Sequence, residues 1–316
     1  MKFLSAFFRL VRWPNLVFII LTQFLFYYCI VLPSLPGAYF DLQKKLTDKV
    51  MWVLVAASVL IAAGGYIIND YFDINIDRVN KPDKMVVEKI IYRRWAMLLH
   101  IFITAAGLVL SLIVSLKTNY LILVANIVCA VLLWYYSTTF KKKLLTGNII
   151  IAALMAWTVM VIYFTSSGFF YISMGRDYEI HKAMQRIYKF AVLYAGFAFI
   201  ISLIREVVKD IEDMEGDAKY GCKTMPIVWG VPAAKVFAAV WMVVLIGALV
   251  ILQFYVLQLR WWLSALYCAL LLIAPLCWIL NQFYKAQTTV QYHRISNMIK
   301  VVILLGILSM LFFRFY

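Results

Sequence analysis

The chain is poor in charge, and poorer in acid. Charged residues make up 14% of its 316 positions, and 15 Asp and Glu stand against 30 Lys and Arg. A soluble domain carries about 25% charge, so an ordinary aqueous surface is excluded. Histidine occurs only at His100, His181 and His293, and the five cysteines (Cys29, Cys129, Cys222, Cys268, Cys277) contain no C-x-x-C pair. Neither a zinc knuckle nor a disulfide framework can be built from that supply. Alternation of apolar and polar residues is also missing from the long hydrophobic segments, which excludes the strands of a membrane barrel.

What is abundant is continuous apolar sequence, for 65% of the residues are hydrophobic. A helix needs about 20 residues to cross a hydrocarbon core of about 30 Å. Nine runs meet that length, near 14–32, 50–69, 95–116, 119–136, 147–166, 188–205, 232–256, 261–281 and 296–315. The expected fold class is therefore all-α, a polytopic membrane protein built as a single transmembrane domain over 1–316. The first run follows Lys2, Arg9 and Arg12 as a signal peptide would. It is too long for one and ends in Pro33-Ser34-Leu35-Pro36 without an A-x-A cleavage pattern, so it is read as a retained helix.

The formal charge of +15 would suggest nucleic acid in a soluble chain. Here topology accounts for it. With the N-terminus inside, 20 of the 30 Lys and Arg fall on the cytoplasmic side, which is the side cationic loops prefer. The expected setting is the cell inner membrane, N-terminus cytoplasmic and C-terminus outside, with a basic inner face suited to membrane lipid head groups and diphosphates and no nucleic-acid partner. The polar segment 167–187, with Arg176, Asp177, Glu179, His181, Lys182 and Arg186, is expected to form a surface helix on the outer side.

The scarce acids are gathered. Five lie between Asp70 and Glu88 and six between Glu206 and Asp217, leaving only Asp41, Asp48, Asp177 and Glu179 elsewhere. The clusters follow the second and sixth apolar runs, at their cytoplasmic ends. Each carries aspartates at i, i+3 and i+7: Asp70, Asp73 and Asp77, then Asp210, Asp213 and Asp217. On a helix continuing from the span these share one face, and Asn69 with Asp73 and Asp77 makes an i, i+4, i+8 variant. Like charges on one face repel, so a cation is called for. Mg2+ suits an all-oxygen set shared with substrate phosphates, and no histidine lies in either cluster.

A solvated acidic loop explains one such cluster, but two with identical spacing in an acid-poor chain are a weak fit to chance. A cation-coupled membrane transporter is the non-enzyme alternative. It would place charge at mid-span or break its helices there, and these apolar runs are almost free of charge.

Asn69-Asp70-(x2)-Asp73-(x3)-Asp77 and Asp213-(x3)-Asp217 resemble the paired signatures of the UbiA superfamily of intramembrane prenyltransferases, and the nine-run count agrees over nearly the whole chain. The likeness extends to Arg78-Val79-Asn80-Lys81-Pro82, to Tyr136-Ser137 followed by Lys141-Lys142-Lys143 and Gly147-Asn148, and to Arg205-Glu206-(x3)-Asp210 with Gly221, Thr224 and Pro226. That last stretch looks closest to the branch that makes digeranylgeranylglyceryl phosphate.

The resemblance implies nine helices around a central cavity and Mg2+-dependent transfer from a polyprenyl diphosphate to a lipid or aromatic acceptor. Geranylgeranylglyceryl phosphate is one such acceptor, and a quinone precursor such as 4-hydroxybenzoate or dihydroxynaphthoate is the alternative. It implies Asn69, Asp70, Asp73, Asp77, Asp210, Asp213 and Asp217 as the metal set, with Asp73, Asp77, Asp213 and Asp217 central to catalysis. Arg78, Lys141, Lys142, Arg205, Lys209, Lys223 and Tyr136 are the candidate diphosphate contacts. An allylic cation needs an electron-rich wall, for which Tyr66, Tyr71, Phe72, Trp134, Tyr135 and Tyr136 are near the motifs. Gly64-Gly65 is expected to let helices approach closely. A CDP-alcohol phosphotransferase also clusters membrane aspartates, but its D-G-x-x-A-R run is absent.

Overall fold

The computed structural model describes residues 2–36, 40–174 and 178–315, and among these it is helical with no strand. We number the helices α1 (Lys2–Leu10), α2 (Trp13–Leu25), α3 (Phe40–Phe72), α4 (Ile74–Asn80), α5 (Arg93–Ser115), α6 (Tyr120–Thr138), α7 (Thr146–Met174), α8 (Tyr178–Glu212), α9 (Met214–Lys219), α10 (Gly230–Gln258), α11 (Trp262–Cys268), α12 (Ala274–Lys285) and α13 (Thr289–Leu308). Nine helical stretches of the described residues are long and apolar enough to cross a bilayer. They coincide with the nine apolar runs to within a few residues at most ends.

The sixth and ninth depart most. The sixth span begins at Tyr178 and the ninth at Thr289, where sequence placed the starts at 188 and 296. In the sixth, Ile180, Ala183, Met184 and Ile187 are buried at helical spacing while Glu179, His181, Lys182 and Arg186 are exposed. An amphipathic first turn hides a helix from a hydropathy window, so this part of the expected surface helix is the start of α8. Of that segment, Arg176 and Asp177 lie outside the described residues.

Two spans carry a short π-helical stretch, Phe26–Val31 after α2 and Ala269–Ile273 between α11 and α12. Each ends two residues before a proline, Pro33 and Pro275. A proline ring displaces the carbonyl one turn back, and widening the helix there absorbs the clash without ending it.

The described chain forms two compact units. One is Met1–Phe140 with Trp157–Leu193, and the other is Lys141–Ala156 with Tyr194–Tyr316. In the first, α3 packs along α5 and α6. Glycines set that approach: a Cβ on Gly64 would collide with Thr104 Oγ1, and one on Gly65 would lie 2.8 Å from a Leu133 methyl. The expectation for Gly64-Gly65 thus holds. Leu10, Leu16, Ile67, Ile91 and Ala96 form the apolar core beside the first acidic motif. Deeper in the unit, Asn126 donates to Ser111 and accepts from Trp157.

In the second unit, Ile204, Val208 and Ile211 of α8 bury against Met225, Met242, Leu276, Phe283 and Ile299. The start of α13 is fixed by a reciprocal cap, Thr288 with Gln291. Many large apolar side chains face outward in both units, Phe102, Leu116, Ile251 and Leu270 among them. In water so large an apolar surface would aggregate, whereas in lipid it costs nothing.

The glycine contact is testable. Gly64→Ala should destabilise the protein by about 1–3 kcal/mol. Thermal unfolding in detergent should show a lowered midpoint that Thr104→Ala, by removing the colliding hydroxyl, largely restores.

Candidate metal and diphosphate site

The first motif closes α3. The helix ends at Phe72, Asp73 takes φ −87° and ψ 0°, and α4 begins at Ile74. That conformation lies in the sparsely used bridge region, where many active-site residues are found. The backbone bonds Asp73 N to Asn69 O (3.0 Å) and Asp77 N to Asp73 O (2.8 Å) persist across the break. Asn69, Asp73 and Asp77 therefore keep their common side although the helix is interrupted, which sequence did not anticipate. Asn69 and Asp73 are both buried, and the Asn69 amide donates to Asp73 Oδ2 at 2.7 Å. Asn69 Oδ1, also buried, has no hydrogen-bond partner among the described residues.

Asp70 is held by a residue that sequence had assigned only to the basic inner face. Arg12 donates to Asp70 Oδ1 at 2.7 Å and lies 5.3 Å over the Tyr66 ring. It reaches this position from the α1–α2 junction, where its backbone is left-handed with φ 51°. A non-glycine residue pays for that conformation, and the ion pair helps offset it. Arg78 points elsewhere: it pairs with Glu88 at 2.6 Å and its side chain is 57% exposed.

The second motif closes α8 in the same manner. The helix ends at Glu212, Asp213 takes φ −93° and ψ 6°, and α9 begins at Met214. Backbone bonds again bridge the break, Asp213 N to Lys209 O at 2.8 Å and Asp217 N to Asp213 O at 3.2 Å. Asp217 is buried, and Asp210 accepts from the Asn148 amide at 2.7 Å. Glu206, also buried, accepts from Arg205 at 2.9 Å and from Lys209 at 3.3 Å. Those two cations are thus partly committed to a carboxylate of their own helix. The loop after α9 turns at Gly221, whose φ of 72° suits glycine, and Lys223 N donates to the Lys142 carbonyl at 2.8 Å. This bond ties the backbone at Lys223 to the segment that carries Lys141 and Lys142 in the second unit.

Placing one break on the other, Asp73 matches Asp213, Asp70 matches Asp210 and Asp77 matches Asp217. In each motif the residue three before the break is an aspartate tied to a different helix, by Arg12 in one unit and Asn148 in the other. Sequence reasoning passed over Arg12 as a site residue and quoted Asn148 only as part of a resemblance, while Glu206 was read as extending the second acidic stripe. The single legible signal was a polar or charged residue at the very start of a span.

Of the aromatic candidates, Tyr66 and Tyr71 already lie under guanidinium groups, those of Arg12 and Arg93. Phe72, Trp134 and Tyr135 are exposed, and Tyr136 is half-buried. Among the described residues no three His, Cys, Asp or Glu side chains converge into a closed metal cage. The donors present are nonetheless hard oxygens: an orphaned, buried amide oxygen at Asn69 and buried carboxylates at Asp73 and Asp217. Hard oxygens of this kind, in either motif, fit Mg2+, which keeps waters and takes phosphate oxygens to complete its shell.

Membrane-length helices with two acidic motifs, each broken at an aspartate, define an intramembrane prenyltransferase type of architecture. The chain belongs to the UbiA prenyltransferase family, whose model matches residues 30–311. It is 30% identical over 207 residues to the digeranylgeranylglyceryl phosphate synthase of Thermococcus gammatolerans, covering 64% of this chain and 65% of that one. The synthase of the same name from Methanosphaera stadtmanae is 26% identical over 260 residues, covering 81% and 85%. The chain therefore spans just under two thirds of the first relative's length and more of the second. A solved structure concerned with digeranylgeranylglyceryl phosphate synthase in membranes is 25% identical, with a TM-score of 0.59 over 98% of this chain and 99% of that one. A UbiA homologue from Archaeoglobus fulgidus bound to GPP and Mg2+ has a TM-score of 0.56 at 16% identity, over 96% and 99%, a likeness of fold.

Because Asp70 is positioned by Arg12, Arg12→Ala should lower prenyl transfer by roughly tenfold or more and also lower the thermal midpoint, since it leaves a largely buried carboxylate without its cation. A variant with undiminished turnover would show that the ion pair is only structural.

Proposed function

We propose that the protein transfers the prenyl group of a polyprenyl diphosphate to a lipid acceptor, geranylgeranylglyceryl phosphate, within the membrane. The observation that carries this is the repeated helix break at Asp73 and Asp213, each with carboxylates on the side of the break. The relatives named above support the acceptor. In this reading each motif serves diphosphate binding through a divalent ion, and the N-terminus and both motifs lie on the cytoplasmic side.

Ionising an allylic diphosphate separates opposite charges, so the residues must stabilise the departing diphosphate and shield the cation from water. Mg2+, when bound, supplies the positive charge that the leaving diphosphate needs. Asn69, Asp73 and Asp77 in one motif and Asp210, Asp213 and Asp217 in the other would hold it, directly or through water. The amide of Asn69 keeps Asp73 turned to one rotamer, and Arg12 and Asn148 do the same for Asp70 and Asp210. Such preorganised groups need no rearrangement as charge develops, which is often the largest catalytic term. Lys141, Lys142 and Lys223, on segments tied by the Lys223–Lys142 backbone bond, meet the outer oxygens of the diphosphate or of a phosphorylated acceptor. Arg205 and Lys209 contribute through Glu206, and Arg78, paired with Glu88, is a peripheral contact. The prenyl chain enters from the lipid side into a cavity among the helices.

Asp73→Ala and Asp213→Ala should each reduce Mg2+-dependent diphosphate release by at least about 100-fold with folding intact. Release measured with geranylgeranyl diphosphate would sink the proposal if both variants kept turning over. Offered geranylgeranylglyceryl phosphate, 4-hydroxybenzoate and dihydroxynaphthoate in turn, the enzyme should prenylate the first. Transfer to an aromatic acid alone would reassign the acceptor.

A further inference from the structure

The residue immediately before each helix break is anchored on a neighbouring helix of its own unit. In the first motif that residue is Phe72, whose ring meets Trp134 of α6 edge to face at 5.9 Å. In the second it is Glu212, and its anchor is polar. Glu212 Oε1 lies 2.7 Å from Nδ1 of His293, in the second turn of α13. The other ring nitrogen, Nε2, lies 3.1 Å from the Asn297 amide one turn further along. An amide N–H can only donate, so Nε2 accepts and the ring proton resides on Nδ1, where it donates to Glu212. The carboxylate of Glu212 is largely buried at 12% exposure while the imidazole is half-exposed.

From this chain of Asn297, His293 and Glu212 we infer that His293 is a positioning residue for the second acidic motif. Asp213 follows Glu212 directly, and its unusual φ and ψ are reached only after α8 has ended. Fixing the carboxylate of Glu212 to α13 sets the angle at which the chain leaves α8, and with it the directions of Asp213 and Asp217. The α13 end of this tie is itself rigid, because the Thr288–Gln291 cap lies one turn before His293. A metal site held to a few tenths of an ångström depends on such outer partners, whose loss commonly costs tenfold or more in affinity. The inference rests on the proposed role of Asp213 in holding a divalent ion.

The test is Mn2+ binding to the purified full-length protein with geranylgeranyl diphosphate and no acceptor, read from loss of the free-ion EPR signal. His293→Ala should weaken binding by roughly tenfold. His293→Asn places an amide N–H where Nδ1 stood and should recover to within about twofold of wild type. His293→Gln places its amide nearer the former Nε2 and should not recover. Equal affinities for the Asn and Gln variants would overturn the proposal, even if His293→Ala proved too unstable to measure. So would wild-type binding by His293→Ala. Asp213→Ala separates the two levels: if it binds Mn2+ as wild type does, the reading of the motif as a metal site fails, whatever His293 does.

Discussion

A carboxylate at the edge of a low-dielectric medium must be matched by charge or by hydrogen bonds, and this protein concentrates its few carboxylates at two such places. Solitary ionised acids there would cost several kcal/mol each or surrender their charge. The structure answers with named partners: Arg12 for Asp70, Asn69 for Asp73, Asn148 for Asp210, and Arg205 with Lys209 for Glu206. Most of these partners fix direction more than they neutralise charge. In the proposed reading the carboxylates of each motif draw in a divalent cation, and a diphosphate is the ligand that such a cation brings with it.

The two motifs solve the problem of direction alike. A continuous helix would present Asp70, Asp73 and Asp77 along a single straight stripe, as it would Asp210, Asp213 and Asp217. Interrupting it at the middle aspartate lets the last one turn on a short separate helix while backbone bonds keep the register. Each interruption is supported by two ties in the last turn before it. Unit 1 uses a salt bridge from a strained Arg12 and an aromatic contact at Phe72, and unit 2 uses Asn148 and His293. The same backbone device is thus stabilised by different chemistry, which suits two motifs that carry different neighbours.

Much of this was legible in the sequence. The nine spans follow from the length of apolar runs against the thickness of hydrocarbon, and the spacing of the acids located both motifs. Close helix packing at Gly64-Gly65 was readable from the missing side chains. The rest was hidden for identifiable reasons. The first turns of α8 are amphipathic, so Ile180 and Met184 vanish among charged neighbours. Residues at i, i+4 and i+8 lie on one side whether or not the helix is broken between them, so the breaks at Asp73 and Asp213 leave no trace in spacing. The ties from Arg12 and His293 join residues 58 and 81 positions from their partners, and no local pattern points across that distance. A basic residue near the inner boundary reads as topology until its partner is seen. The transporter alternative wanted charge or broken helices at mid-span, whereas the breaks that carry the two acidic motifs lie at span ends.

The central proposal is that the carboxylates of each motif hold ion-bound diphosphate. Pulsed EPR of protein-bound Mn2+ with geranylgeranyl diphosphate reports it most directly, through hyperfine coupling between the ion and the phosphorus nuclei. The account predicts a clear phosphorus coupling that weakens when Asp77 or Asp217 is replaced by Ala. A coupling that survives the loss of either carboxylate undiminished would contradict it.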